Sequence, residues 1–228
     1  MNDLKLTMIA RARNGFTDKF GIPRQPRTAS CIETRIVFEP AFRVRESLRG
    51  IEGFSHLWLL WGFSANRNTG ESWSPTVRPP RLGGNTRMGV FATRSPYRPN
   101  PVGLSSVRLL RIEESREEGL VLVVAGADLL DGTPIYDIKP YLSFSDAHPD
   151  ARDGFAGATK DYCLRVEWDK GISLPEDAQR ALQEILEQDP RPAYQDDPDR
   201  EYKLDYARRR ITFRVSGDVL HVLRVQEI

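Results

Sequence analysis

VGLSSVRLLRI at residues 102–112 and LVLVVA at residues 120–125 decide the class of fold, because their aliphatic and β-branched content is that of β-strands. Upstream, HLWLLWGF at residues 56–63 reads as a buried strand. CIETRIVFE at residues 31–39 alternates apolar and polar residues, the period of a half-buried strand. LKLTMIARA at residues 4–12, residues 88–93 and residues 133–138 add further strands. Residues 41–50 form one short helix ending at Gly50, and residues 64–85 are loop-like. Strands at this spacing, with no helical period between them, predict a mainly β fold, a barrel or a sandwich with antiparallel pairing. HPDARDGFAGA at residues 148–158 has a linker's composition. A smaller α+β unit follows, with a strand at residues 161–168 and one long helix at residues 174–188. Pro175 sits near the start of that helix, and Ala178, Leu182, Ile185 and Leu186 form its apolar stripe. Strands at residues 202–206, 211–215 and 219–225 complete a small sheet, with Ser216, Gly217 and Asp218 turning its last hairpin. The expected domains are residues 1–150 and 158–228.

The 228 residues carry 33 Lys and Arg against 32 Asp and Glu, a balance that hides a split. Residues 1–112 hold 18 basic and 7 acidic side chains, while residues 113–228 hold 15 and 25. Residues 72–112 contain no acid and no lysine but seven arginines: Arg78, Arg81, Arg87, Arg94, Arg98, Arg108 and Arg111. The planar guanidinium suits phosphate and stacks on rings, so the run points to a polyanionic partner. The alternative is that acids elsewhere in the fold pair with these arginines. No apolar run approaches the ~20 residues of a membrane helix. The two cysteines and three histidines lack metal-site spacing, so a metal enzyme is disfavoured and a reducing cytoplasm is expected.

Four segments carry candidate chemistry. In TVRPPRLGGNTRMGVFATRSPYRPNPVG, residues 76–103, five prolines and four glycines make rigid turns that would hold Arg94, Ser95, Arg98 and Asn100 on a fixed surface. In DLLDGTPIYDIKPY, residues 128–141, Asp128 and Asp131 are acceptors for hydroxyls or an ammonium group. Asp137 and Lys139 share a strand face there, as an acid–base pair or a plain ion pair. RQPR at residues 24–27 offers two cationic donors on a kinked loop. DPRPAY at residues 189–194 stops the long helix. No G-x-G-x-x-G follows a strand, and neither a P-loop nor G-x-S-x-G occurs. His56 heads an apolar strand and reads as a hydrogen-bonded structural histidine.

KFGIPRQP at residues 19–26, GIEGFSHLW at 50–58, the 76–103 block and residues 128–141, in this order, resemble the TsaA-like family of tRNA methyltransferases (TrmO type). QDPRPAY at residues 188–194 extends the resemblance to the bacterial members. The resemblance implies a single-sheet antiparallel β-barrel working as a homodimer. It implies S-adenosylmethionine as cofactor and methylation of the exocyclic nitrogen of N6-threonylcarbamoyladenosine, beside the anticodon of tRNA. Carried over by motif, the cofactor contacts are Pro23, Arg24, Gln25, Ser64, Ala65, Arg94, Leu104, Asp128, Leu129, Leu130 and Asp131. The nucleophilic nitrogen must lose a proton, for which Asp137 is the acceptor, with Lys139 and Tyr141 orienting the threonyl carboxylate or the base. Arg78, Arg81, Arg98, Asn100, Arg191 and Tyr194 are the expected tRNA contacts. Two other classes stay open: a non-catalytic RNA-binding module, and a methyltransferase acting on a small molecule or protein. A chain ending near Phe155 is expected to keep a folded barrel with reduced turnover.

Overall fold

Side-chain alternation sets six strands into one antiparallel sheet. β1 (Ala10–Arg13) buries Ala10 and Ala12 and turns Arg11 and Arg13 outward. β2 (Glu33–Phe38) buries Thr34, Ile36 and Phe38. With β3 (His56–Gly62), β6 (Val102–Ser115), β7 (Gly119–Ala125) and β8 (Pro134–Pro140), the order is β1-β2-β7-β6-β3-β8. β8 pairs back onto β1 through Ala10↔Ile135 and Arg11↔Pro134, so the sheet is a closed barrel. In this computed structural model the described residues are 5–18, 20–22, 31–63, 73–79, 82, 86–191, 195 and 197–228.

Leu57, Leu59 and Trp61 of β3 point into the barrel core with Val107, Leu122, Val124 and Ile135. Gly103 of β6 lies opposite Trp61, and a β-carbon there would overlap the indole ring. Small residues beside large ones are how a small barrel fills its interior. Gly103→Ala is expected to destabilise the protein by about 1–3 kcal/mol through overpacking. Thermal unfolding checks this, and an unchanged midpoint would show that the indole can move aside.

Several elements depart from their sequence expectation. Residues 41–50 form no continuous helix: 3-10 turns occupy Pro40–Phe42, Arg45–Leu48 and Ile51–Gly53, interrupted where Gly50 takes a left-handed φ of 85°. The strand expected at 88–93 is only β5 (Met88–Gly89), paired with β4 (Thr76–Val77). It gives way to a 3-10 turn at Val90–Ala92, whose Val90 is buried. The linker stretch carries a 3-10 turn at Gly154–Thr159. No helix among the described residues is long and apolar enough to cross a membrane.

After the four-residue helix α1 (Ser143–Asp146), β9 (Arg165–Trp168), β10 (Tyr202–Tyr206), β11 (Arg209–Ser216) and β12 (Val219–Glu227) form a second sheet in the order β10-β11-β12-β9. Helix α2 (Glu176–Glu187) lays Ala181, Leu182, Ile185 and Leu186 on it. That core is not made by the C-terminal residues alone. Phe16 and Ile32 are fully buried in it, and Phe20, Ile22 and Cys31 pack at its edge. The Phe16 and Tyr206 rings lie 4.9 Å apart, and Phe20 stacks on Phe213 at 6.5 Å. The Ala207 amide donates to the Gly15 carbonyl at 3.0 Å, and the Cys31 amide to Glu184 Oε2 at 3.0 Å. Burial, reinforced by Glu184, pushes the Cys31 thiol up to about 12, which leaves it a weak nucleophile.

Candidate active site

Beyond β7, Gly126 takes a φ of 77°, a left-handed turn that carries the chain across the barrel end. Ala127 and Leu129 drop into the core on either side of Asp128. Asp128 Oδ1 accepts a hydrogen bond from Ser105 Oγ at 2.5 Å. Ser105 Oγ in turn accepts from Trp61 Nε1 at 2.9 Å. The indole can only donate, so it fixes the hydroxyl as donor to the carboxylate. Burial pushes the Asp128 carboxyl up, while the Ser105 bond and the charge of Arg94 pull it down. Phe63 closes on Trp61 edge to face at 4.4 Å. A β-carbon on Gly62 would stand 2.5 Å from the Tyr136 hydroxyl. The result is an oriented, half-buried carboxylate anchored through Ser105 to the Trp61 indole, an arrangement more typical of a site than of a core.

Asp131 does a different job. Its Oδ1 accepts from the Asn14 amide at 3.0 Å, and its Oδ2 faces Arg13 Nη1 at 3.4 Å. Asn14 Nδ2 donates to the Leu129 carbonyl at 2.9 Å and to Thr34 Oγ1 at 3.2 Å. These bonds tie the exit of β1 to the 128–132 loop, so Asp131 is largely occupied with structure. Leu129 is fully buried, which removes its side chain from any cofactor contact.

The expected catalytic trio lies on the outer face of the barrel. Asp137 and Lys139 pair at 2.9 Å on β8. Tyr141 packs against Trp58 and His56, with ring centroids at 5.6 and 6.1 Å. Trp58 Nε1 donates to Asp146 Oδ2 at 2.8 Å, which holds the Asp146 carboxyl below its usual range. Through Leu60, the register sets Asp137 in one row with Leu104, which is exposed on the same outer face. Leu104 and Asp128 therefore face opposite sides of the sheet, and the carried-over cofactor residues do not form one ring of side chains. Pro23, Arg24, Gln25, Ser64, Ala65, Arg81 and Tyr194 lie outside the described residues.

The arginine run divides. Arg111 holds Glu33 at 2.7 Å and Glu113 at 2.8 Å, as the ion-pair alternative requires. Arg98 donates to the carbonyls of Val90 at 3.4 Å and Thr93 at 3.2 Å. Among the described residues, Arg78, Arg87, Arg98 and Arg108 face no carboxylate partner. Asn100 is exposed. Arg191 is different: it is only 8% exposed and grips Asp189 with two bonds of 2.9 and 3.0 Å. Asp189 also accepts from the Tyr162 hydroxyl at 2.8 Å and holds the helix end at a φ of 49°. Arg191 is therefore turned inward as a brace and not outward to phosphate. Sequence reasoning passed over Ser105, Trp61 and Asn14. The usable signal was Trp61, on the inward phase of its strand with an indole N–H that requires a buried acceptor.

Residues 11–147 match the tRNA-methyltransferase O N-terminal domain, and residues 164–228 the TrmO C-terminal domain. A tRNA (adenine(37)-N6)-methyltransferase from Eikenella corrodens is 52% identical over 165 residues, covering 71% of this chain and 91% of that protein. The protein of the same name from Escherichia coli K12 is 40% identical over 202 residues, 85% of each chain. A crystal structure of TrmO from Pseudomonas aeruginosa superimposes with a TM-score of 0.77 at 33% identity, covering 99% of this chain and 100% of that one.

Proposed function

Because this chain belongs to the tRNA-methyltransferase O family, we infer that it is a methyltransferase that uses S-adenosylmethionine to methylate the N6 nitrogen of a tRNA adenine beside the anticodon. The observation that carries the reading is the half-buried Asp128, aimed by Ser105 and Trp61 at the end of the barrel. That donor set fits the cofactor. A fixed carboxylate suits its ammonium and ribose hydroxyls, and Arg94, whose charge already acts on Asp128, suits its carboxylate. When bound, S-adenosylmethionine supplies a methyl group activated by positive sulfur, so the chain's own work is positioning.

We further assign the target as adenine already bearing an N6-threonylcarbamoyl group. The lone pair of such a nitrogen is delocalised into the attached carbonyl, so an acceptor for its proton is needed. The trio expected for this step, Asp137 with Lys139 at 2.9 Å and Tyr141, lies on the outer face of the barrel, across the sheet from Asp128, so it serves as proton acceptor only where the methyl group is presented on that face. Residues 1–150 form the methyl-transferring unit and residues 158–228 the supporting unit of a cytoplasmic homodimer. Transfer of label from S-adenosylmethionine to tRNA with and without the threonylcarbamoyl group tests this. Label only in the modified tRNA is expected. Label in neither removes the function, and equal label in both removes the modified substrate.

Arg78, Arg87 and Arg108 supply cations for the phosphates. Affinity for tRNA is expected to fall steeply with salt, and Arg78→Ala to lower the log–log slope by about 0.7–0.9 per lost phosphate contact. Filter binding across a salt series measures this, and a flat response would remove these arginines from the interface.

A further inference from the structure

Two large aromatic rings stand in solvent on the β4–β5 ribbon. Trp73 is 46% and Phe91 73% exposed, with ring centroids 5.9 Å apart and planes inclined at 33°. Neither ring belongs to the barrel core or to the core under α2. An exposed apolar pair that the fold does not use marks a contact surface.

The backbone that carries these rings is tied down. Val77 pairs with Met88 and Thr76 with Gly89, and the Val90 amide donates to the Pro75 carbonyl at 2.9 Å. The 3-10 turn that carries Phe91 is tied by Thr93 Oγ1 to the Val90 carbonyl at 2.9 Å and by Arg98 to the carbonyls of Val90 and Thr93. A backbone fixed in this way loses little conformational freedom when a partner stacks on the rings it carries. At the other end of the ribbon, Arg78 follows Val77 and Arg87 precedes Met88, and both are exposed. Arg87 Nη1 donates to Thr76 Oγ1 at 3.1 Å. No acid occurs anywhere in residues 72–112.

A partner for this surface needs flat apolar faces strung on an anionic backbone, which is the chemistry of unpaired nucleotides. A two-fold contact with a second copy would set the same arginine-rich patch against itself, so like charges disfavour it. The geometry points to Trp73 and Phe91 as a stacking platform for an unpaired base of the tRNA anticodon loop, with Arg78 and Arg87 on the flanking phosphates. This rests on the tRNA reading above and names the residues that would hold the loop while its target adenine is methylated.

The test uses the full chain with Trp73→Leu, Phe91→Leu and the double variant, which keep apolar bulk but lose the π face. Phe91→Tyr serves as the conservative control. The probe is a threonylcarbamoylated tRNA with 2-aminopurine replacing an unpaired loop base, whose fluorescence is quenched on stacking. Each Leu variant is expected to raise KM for tRNA about 5- to 150-fold, the equivalent of ~1–3 kcal/mol of stacking. Quenching should be lost in the double variant and kept in Phe91→Tyr. Because both rings lie outside the cores, kcat, cofactor affinity and the melting midpoint should stay near wild type. A double variant with unchanged KM and quenching overturns the platform alone. A double variant that falls from dimer to monomer while binding tRNA normally assigns the rings to a second copy and also overturns it. A wild-type chain that methylates no tRNA overturns the tRNA reading and the platform together.

Discussion

A chain ended near Phe155 is expected to aggregate, and not to survive as a folded barrel with weakened turnover. Such a chain keeps every barrel strand but loses α2 and the second sheet. Phe16 and Ile32, fully buried under α2, would then face water, with Phe20, Ile22 and Cys31 beside them. Exposing the first two alone forfeits about 1.5–3 kcal/mol each. The 16–32 segment also loses the Phe16–Tyr206 and Phe20–Phe213 contacts and the backbone bond from Ala207 to Gly15. Against a typical net stability of about 5–15 kcal/mol, losses on this scale are severe. The new apolar patch lies next to Asn14, which ties β1 to the 128–132 loop, so damage would spread to the Asp128 end of the barrel. Sedimentation and a thermal scan of the truncated chain decide the matter. A monomer with a sharp melt would show that the 16–32 segment refolds against the barrel and that the two cores are independent.

The mainly β character was legible because its signal is local. HLWLLWGF, CIETRIVFE and LVLVVA each carry strand content within six to nine residues, and the structure places β3, β2 and β7 there. Helix α2 was equally legible from its apolar stripe. The shared second core was not, because Phe16 and Ile32 sit in polar, proline-rich surroundings and their partners lie far downstream, in residues 164–222. Pairing across that distance leaves no periodicity. The same reason hid the link from Trp61 to Ser105 to Asp128: each residue looked like an ordinary member of its strand or loop, and only the β3–β6 register sets them in line. Arg191 shows the opposite error. An arginine beside two prolines read as a surface contact, yet the turn at Asp189 directs it inward onto that residue's own carboxylate. The acid-free run suggested a cationic surface, and Arg78, Arg87 and Arg108 provide it, whereas Arg111 was taken by Glu33 from another strand.

Asp128→Asn is expected to weaken cofactor binding about tenfold or more while leaving the fold as stable or making it more so. Loss of the charged acceptor removes a charge-assisted hydrogen bond of ~1.5–3 kcal/mol. Burial raises the Asp128 carboxyl above its usual value of 3.8, so ionising it costs the folded state more than the unfolded one. That cost is absent at pH values below 3.8 and is fully present once the pH has risen through the raised value. The Asn variant never carries it, yet its amide oxygen can still accept from Ser105. Its melting midpoint, relative to wild type, should therefore be higher near pH 7, with the difference shrinking towards zero as the pH falls to about 4. Asp128→Ala should separate the two effects. It also leaves the Ser105 hydroxyl without its acceptor, a loss of about 1–3 kcal/mol for a buried polar group, and should lower the midpoint. Calorimetric titration of S-adenosylmethionine and melts across pH measure both consequences. If Asp128→Asn binds cofactor like the wild type, the carboxylate is a structural anchor for Ser105 and Trp61, and the cofactor is held elsewhere on the barrel.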